Sequence, residues 1–288
     1  MALPDQPRFG ATLARLTLGE AVAEVPLRWA EWGPAEGFPT LCVHGLTRTG
    51  RDFDDLARAL AADGRRVICP DILGRGMSGW LPDGRFYAVP TYVQALLPLV
   101  QALGGPFDWV GTSMGGPIGM PVAAIPGMPL RRLVLNDIGA FIPKAALAQI
   151  GAYVGQAMDF PDLPALEAHL RRIHAPFGPL TDAQWRHLAR TSGRMTPAGR
   201  WVLHYDPAIA APMRGVEPQD ADLWTLWEQV KAPTLILRGE SSTLLLPDTA
   251  ARMAERDGVR LVTVPGCGHA PALMDVSQIE TVRAFLNG

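Results

Sequence analysis

The five residues Gly111-Thr112-Ser113-Met114-Gly115 constrain this chain more than any other stretch. They follow an apolar run, FDWV, and lead into a helical one, GGPIGMPVAA. A serine flanked by glycines at a strand-to-helix junction demands a sharp turn, because the missing side chains let neighbouring backbone pass close by. The serine is then held in a strained conformation with its hydroxyl outward, at the positive end of the following helix. Taken alone, G-x-S-x-G also fits a phosphate loop or a plain turn, so its surroundings decide.

Those surroundings belong to a large globular chain. With 288 residues, 48% hydrophobic and 19% charged, it can bury a sizeable core. A formal net charge of -2, with no block of like charge, gives no field for nucleic acid or an anionic membrane surface. The expected partner is a small molecule, and the expected state a monomer or homodimer. The start MALPDQPRFGATLARL has no apolar stretch behind a basic head, and no run reaches the ~18 apolar residues of a membrane span. A cytoplasmic protein is expected. Three cysteines without a CxxC pair offer neither a disulfide framework nor a zinc site, and Cys42 and Cys69 sit in apolar runs as core fillers. No metal or cofactor is expected.

Short β-rich runs alternate with helical patterns: TLCVH (Thr40 to His44), RRVICPD (Arg65 to Asp71), FDWVGTS (Phe107 to Ser113) and RRLVLND (Arg131 to Asp137). That alternation reads as a mostly parallel sheet covered by helices. From about Gly139 to Trp227 no buried strand is evident, and segments rich in Ala, Leu, Trp, His and Arg are broken by Pro and Gly. The β pattern returns with APTLILRGE (Ala232 to Glu240), a helix near Pro247 to Arg256, the strand RLVTV (Arg260 to Val264), a loop to His269 and a closing helix (Val276 to Leu286). The expected division is a core of residues 1–139 and 228–288 with a helical insertion over 140–227.

Four motifs now resemble the α/β-hydrolase superfamily, in its order and over nearly the whole chain. His44-Gly45-Leu46 resembles the HG-x turn after the third strand; Asp71 to Ser78 (DILGRGMS) matches the D-x-x-G-x-G-x-S loop after the fourth; Ser113 sits at the nucleophile elbow; Gly266-Cys267-Gly268-His269 is similar to the loop carrying the catalytic histidine. The resemblance implies an α/β fold with a mostly parallel eight-stranded sheet, helices on both faces and a helical cap inserted over the strand ends.

It also implies roles. Ser113 is the nucleophile, and His269 takes its proton, since a neutral imidazole suits that task near pH 7. The insertion histidines, His169, His174, His187 and His204, read as structural, and His44 as a holder of its turn, with contact to substrate as its other reading. The oxyanion is met by the backbone N–H groups of Leu46 and Met114. The acid departs from the pattern: relatives carry RGExSDxL, whereas this chain has Arg238-Gly239-Glu240-Ser241-Ser242-Thr243-Leu244, so Thr243 stands in the acid's place. Asp137 at the end of RRLVLND is the leading substitute, Glu240 and Asp248 are others, and a site without an acid stays open. Arg48 beside the oxyanion turn can meet a substrate carboxylate or lie in solvent, and Trp80 is expected to wall the entrance. Among the aromatics of the insertion, Phe141, Tyr153, Phe160, Trp185, Trp201, Trp224 and Trp227, two or three are expected in the pocket.

The expected reaction is hydrolysis of a small carboxylic ester or lactone through an acyl-enzyme. A C–C bond hydrolase of ring-cleavage products, a cofactor-free acyltransferase, and a non-catalytic ligand-binding member of the fold are the other readings.

Overall fold

The structure, a computed structural model, describes residues 6–288; Met1 to Asp5, part of the stretch read above for a leader, lie outside it. It opens with a long hairpin, β1 (Arg8–Leu18) and β2 (Ala21–Trp32), paired antiparallel from Arg8↔Glu31 to Leu18↔Ala21. Exposed and buried side chains alternate along both strands, as expected where one face meets a core and the other water. The continuous apolar runs that mark the later strands are missing here, so the strand pattern read from sequence begins only at Thr40.

Six further strands complete the sheet: β3 (Pro39–Val43), β4 (Arg66–Asp71), β5 (Phe107–Thr112), β6 (Leu130–Asn136), β7 (Thr234–Gly239) and β8 (Val259–Val264). The eight strands lie in the order β1-β2-β4-β3-β5-β6-β7-β8. Pairing is antiparallel through β1, β2 and β4 and parallel beyond. The helices are α1 (Asp54–Ala62), α2 (Val89–Gln101) and α3 (Gly115–Ala124), then α4 (Lys144–Tyr153), α5 (Leu163–Ile173), α6 (Asp182–Ser192) and α7 (Trp224–Gln229) in the segment between β6 and β7, and finally α8 (Pro247–Ala254) and α9 (Val276–Asn287).

Both faces of the sheet are covered, and the period of two sorts the strand residues between them. Cys42, Val110, Val134 and Leu235 pack with Leu56 and Leu60 of α1 and Val282 and Leu286 of α9. Leu41, Leu133, Leu135 and Ile236 pack with Leu96 of α2, Ile118 of α3 and Met253 of α8. Each of these side chains is fully buried, and burial of that kind contributes about 1.5–3 kcal/mol apiece. Cys42 and Cys69 are both fully buried free thiols.

The segment between β6 and β7 is not purely helical. Asp159–Phe160, Trp201–Leu203 and Gly193–Met195 form a three-stranded sheet, and Phe141–Ile142 pairs with Ala221–Asp222. Strands of two or three residues are too short to leave a periodic trace in sequence. The segment has its own apolar nucleus, Leu166, Leu170, Trp185 and Leu188, joined by Met274 from the loop after β8.

A polar clasp ties α6 to the sheet domain. His187 Nε2 lies 3.2 Å from Asp54 Oδ2 and 3.0 Å from the Arg51 carbonyl, and Arg51 pairs with the fully buried Asp54 at 2.7 Å. Burial alone pushes the His187 pKa down, but the hydrogen bond and charge of Asp54 outweigh it and hold it above its ordinary value. A histidine raised by folding stabilises fully below its unfolded value near 6.5 and loses that contribution as the pH rises through the folded one. The Tm gap between wild type and His187→Gln should therefore be largest at mildly acidic pH and shrink as the pH climbs above about 6.5. Thermal unfolding of both proteins across that range checks this; a gap independent of pH would mean that the clasp holds a neutral imidazole.

Candidate active site

The turn at Ser113 is built by close backbone contact. A Cβ on Gly111 would stand 2.4 Å from the Gly115 carbonyl oxygen, and one on Gly115 would stand 2.0 Å from that of Val43. No side chain fits at either position, which is why the serine is bracketed by glycine. Ser113 itself adopts φ 50°, a left-handed conformation that is costly for a residue with a side chain. Its N–H donates to the Asn136 carbonyl at 3.0 Å, and the Trp109 indole donates to the Gly115 carbonyl at 3.0 Å, so both strand and helix pin the turn.

Ser113 Oγ lies 2.8 Å from His269 Nε2. On the other side of the ring, His269 Nδ1 lies 2.7 Å from Asp137 Oδ2. A carboxylate can only accept, so Nδ1 carries the proton and Nε2 is left to accept from the serine hydroxyl. Asp137 is fully buried and also left-handed, at φ 55°. Its other contacts are donors as well: the Gly239 N–H reaches Oδ1 at 2.8 Å and the Ser242 hydroxyl reaches Oδ2 at 2.6 Å. Ser242 Oγ accepts from the N–H groups of Leu244 and Leu245, each at 3.2 Å, which aims its own proton at Asp137.

The stretch after β7 thus turns Ser242 inward and leaves Thr243 exposed. Glu240 is also exposed and accepts from the Gly266 N–H at 3.1 Å, while Asp248 is exposed in the first turn of α8. Asp137 is the carboxylate that reaches His269.

Leu46 and Met114 frame the serine from two loops. Among the described residues, neither backbone N–H has an acceptor within the protein. The Leu46 turn is fixed by His44, whose Nε2 accepts from the Ile72 N–H at 2.9 Å while its Nδ1 donates to the Gly45 carbonyl at 2.7 Å. Burial, chiefly, pushes the His44 pKa down to about 3, so the ring stays neutral and structural. Arg75 was not singled out from the sequence. It is fully buried, donates to the carbonyls of Leu46 (2.8 Å) and Leu73 (2.7 Å) and to Tyr92 Oη (2.7 Å), and lies 3.7 Å from Met114 Sδ. One guanidinium therefore ties together the two loops that carry the free N–H groups. Its position between the two glycines of the Asp71 loop was the available signal, but an arginine there reads as exposed until its acceptors are known.

The serine opens on a cavity of about 330 Å³. Its walls are Leu46, Phe53 and Met274 from the core and Ile150, Tyr153 and Phe177 from the segment between β6 and β7. Of the aromatics expected there, Tyr153 faces the cavity; Phe177 joins it, and Trp185 and Trp227 are buried packing instead. Arg48 lines the cavity, and it is neither solvated nor unpaired: its side chain is 6% exposed and clamps Asp52 through Nε (2.7 Å) and Nη2 (2.8 Å). Trp80 corrects the expectation. It lines a separate cleft with Met158, Arg194 and Val202 and takes no part in the walls around Ser113. The Gly79 N–H donates to the Pro26 carbonyl at 2.7 Å, drawing the loop onto β2 and carrying Trp80 away from the serine.

The described residues contain no group of three or more His, Cys, Asp or Glu side chains placed to hold a metal ion, and no helix long and apolar enough to cross a membrane.

Comparison with known proteins gives the family of this fold. The profile of the alpha/beta hydrolase family matches residues 40–282. The chain belongs to that family. It is 43% identical over 273 residues to the 3-hydroxybutyrate-oligomer hydrolase of Cupriavidus necator, covering 91% of this chain and 93% of that protein. It is 29% identical to the 2-(acetamidomethylene)succinate hydrolase of Mesorhizobium japonicum, covering 86% of each. Among solved structures, a putative hydrolase from Rickettsia typhi superimposes with a TM-score of 0.90 at 30% identity, covering 97% of this chain and 99% of that one. The eight-stranded, mostly parallel sheet expected from sequence is the sheet of this hydrolase fold.

Proposed function

We propose that this hydrolase cleaves small carboxylic esters through an acyl-enzyme on Ser113, and that its substrates are short linear oligoesters of 3-hydroxybutyrate. The reaction rests on one observation, the unbroken line from Ser113 Oγ through the His269 ring to Asp137 at 2.8 and 2.7 Å. The substrate class rests on the extended likeness to the Cupriavidus necator enzyme and on a mostly apolar cavity with one polar wall.

In the proposed cycle His269 Nε2 takes the Ser113 proton as Oγ bonds to the ester carbonyl carbon. The carbonyl oxygen becomes an oxyanion and accepts from the Leu46 and Met114 N–H groups, which need no reorganisation to receive it. The carbon–oxygen bond to the alcohol unit breaks, and His269 returns the proton to that oxygen, releasing a hydroxy acid. Water then gives a proton to His269 and its oxygen to the acyl carbon; Ser113 leaves, takes the proton back, and a second acid departs. Asp137 keeps the ring oriented and stabilises its charged form throughout.

Incubation with the linear dimer and trimer of 3-hydroxybutyrate, beside a series of p-nitrophenyl esters, tests the reading. Expected results are free 3-hydroxybutyrate, one solvent oxygen in each acid formed from the acyl side, and labelling of Ser113 by a fluorophosphonate. Failure of both labelling and ester cleavage would leave a ligand-binding protein on a hydrolase fold.

A further inference from the structure

Arg48 is placed to do more than hold its turn. Its side chain, nine-tenths buried, gives Nε–H and one Nη2–H to Asp52 and one Nη1–H to His174 Nε2 at 3.3 Å. A guanidinium carries five N–H groups, so one on each Nη is left without a protein partner among the described residues. His174 is kept neutral: burial first, and the charge of Arg48 second, hold its pKa well below the ordinary value. With Nε2 accepting from Arg48, its proton resides on Nδ1, which has no protein partner among the described residues either. The ring is stacked on Phe177, with centroids 4.5 Å apart, so it is held in place.

This group of donors stands beside the nucleophile. A Cβ built on Gly45 would lie 3.6 Å from Ser113 Cβ and 3.7 Å from Arg48 Cγ, so a single glycine separates the two stems. Arg48 and His174 face both the Ser113 cavity and an adjoining one of about 230 Å³. Among the described residues, no other lysine or arginine lines the Ser113 cavity. The two N–H groups left over, one on each Nη, belong to one planar guanidinium, the group whose geometry suits a carboxylate.

We propose that Arg48 and His174 form a carboxylate subsite that holds the free acid end of the leaving unit. The proposal rests on the oligoester reading above. In a linear 3-hydroxy acid oligomer the last ester oxygen is separated from the free carboxylate by two carbons, so a carbonyl at Ser113 and an acid at Arg48 can be engaged by one molecule. Cleavage then proceeds from the acid end, one hydroxy acid per turnover.

The test compares the 3-hydroxybutyrate dimer with the same dimer capped as its primary amide, which keeps the shape and the single ester but removes the charge. Hydrogen bonds to a charged group are worth about ten- to a hundred-fold, so wild-type kcat/KM should favour the free acid by that factor, and Arg48→Lys, which keeps a charge against Asp52 but loses the planar group, should erase most of the preference. In wild type alone, 3-hydroxybutyrate should inhibit p-nitrophenyl ester hydrolysis more strongly than 3-hydroxybutyramide. With a trimer labelled in its acid-terminal unit, the labelled monomer should appear first. Equal use of acid and amide by wild type, or a preference that survives Arg48→Lys, overturns the subsite and leaves the ester chemistry standing. Cleavage of p-nitrophenyl esters but of neither dimer overturns the oligoester reading and the subsite with it.

Discussion

Replacement of Ser113 by alanine should lower kcat by about a million-fold, the scale measured when a serine nucleophile is removed from a protease triad. The substitution removes one oxygen and no packing, and the Cβ that already tolerates φ 50° is retained, so Tm should scarcely move. The Leu46 and Met114 N–H groups would remain, and such an oxyanion site alone keeps about 10³–10⁴-fold over water. Initial rates on a p-nitrophenyl ester, with fluorophosphonate labelling and a melting curve, check all three statements. Hydrolysis within tenfold of wild type would place the nucleophile elsewhere in the chain.

The sequence made the sheet and the elbow that carries Ser113 legible because both depend on local chemistry. A buried parallel strand is a run of apolar residues, and an elbow needs its glycines; Gly111 and Gly115 could be read without knowing that Val43 and the helix crowd them. What sequence could not supply is where separate segments meet. Ser242 and Thr243 are adjacent and similar in size, and only the turn after β7 decides that Ser242 faces Asp137 and Thr243 faces water. Arg75 and Arg48 look like surface cations until the carbonyls around one and the Asp52–His174 pair around the other are in place. Trp80 followed a site loop in sequence, but that loop is tied to β2 through the Gly79 N–H and Ser78 Oγ, and Trp80 lines a separate cleft. The β1–β2 hairpin escaped for a different reason, since polar residues such as Arg15, Glu24 and Arg28 interrupt its apolar ones and alternate residues face solvent.

The acid is the point at which the sequence departs from the motif it resembles, and its loss has a large expected cost. Asp137 accepts from the His269 ring, the Ser242 hydroxyl and the Gly239 N–H at once. In Asp137→Asn the amide has a single acceptor oxygen for these donors, and its NH2 must face one of them. If the NH2 faces His269, the ring is driven to the tautomer with its proton on Nε2, where it can no longer accept from Ser113. The same exchange in a serine protease costs about ten-thousand-fold in kcat, or about 5–6 kcal/mol of transition-state stabilisation. A loss of that order is expected here, with fluorophosphonate labelling of Ser113 slowed in parallel. Thr243→Asp should do little in the wild-type background and should not rescue Asp137→Asn, because residue 243 is exposed and Ser242 occupies the inward position of the turn. Steady-state kinetics of the two single variants and the double variant decide the matter. A nearly silent Asp137→Asn together with a Thr243→Asp that gains orders of magnitude would return the acid to position 243 and reduce Asp137 to a brace for the turn after β7.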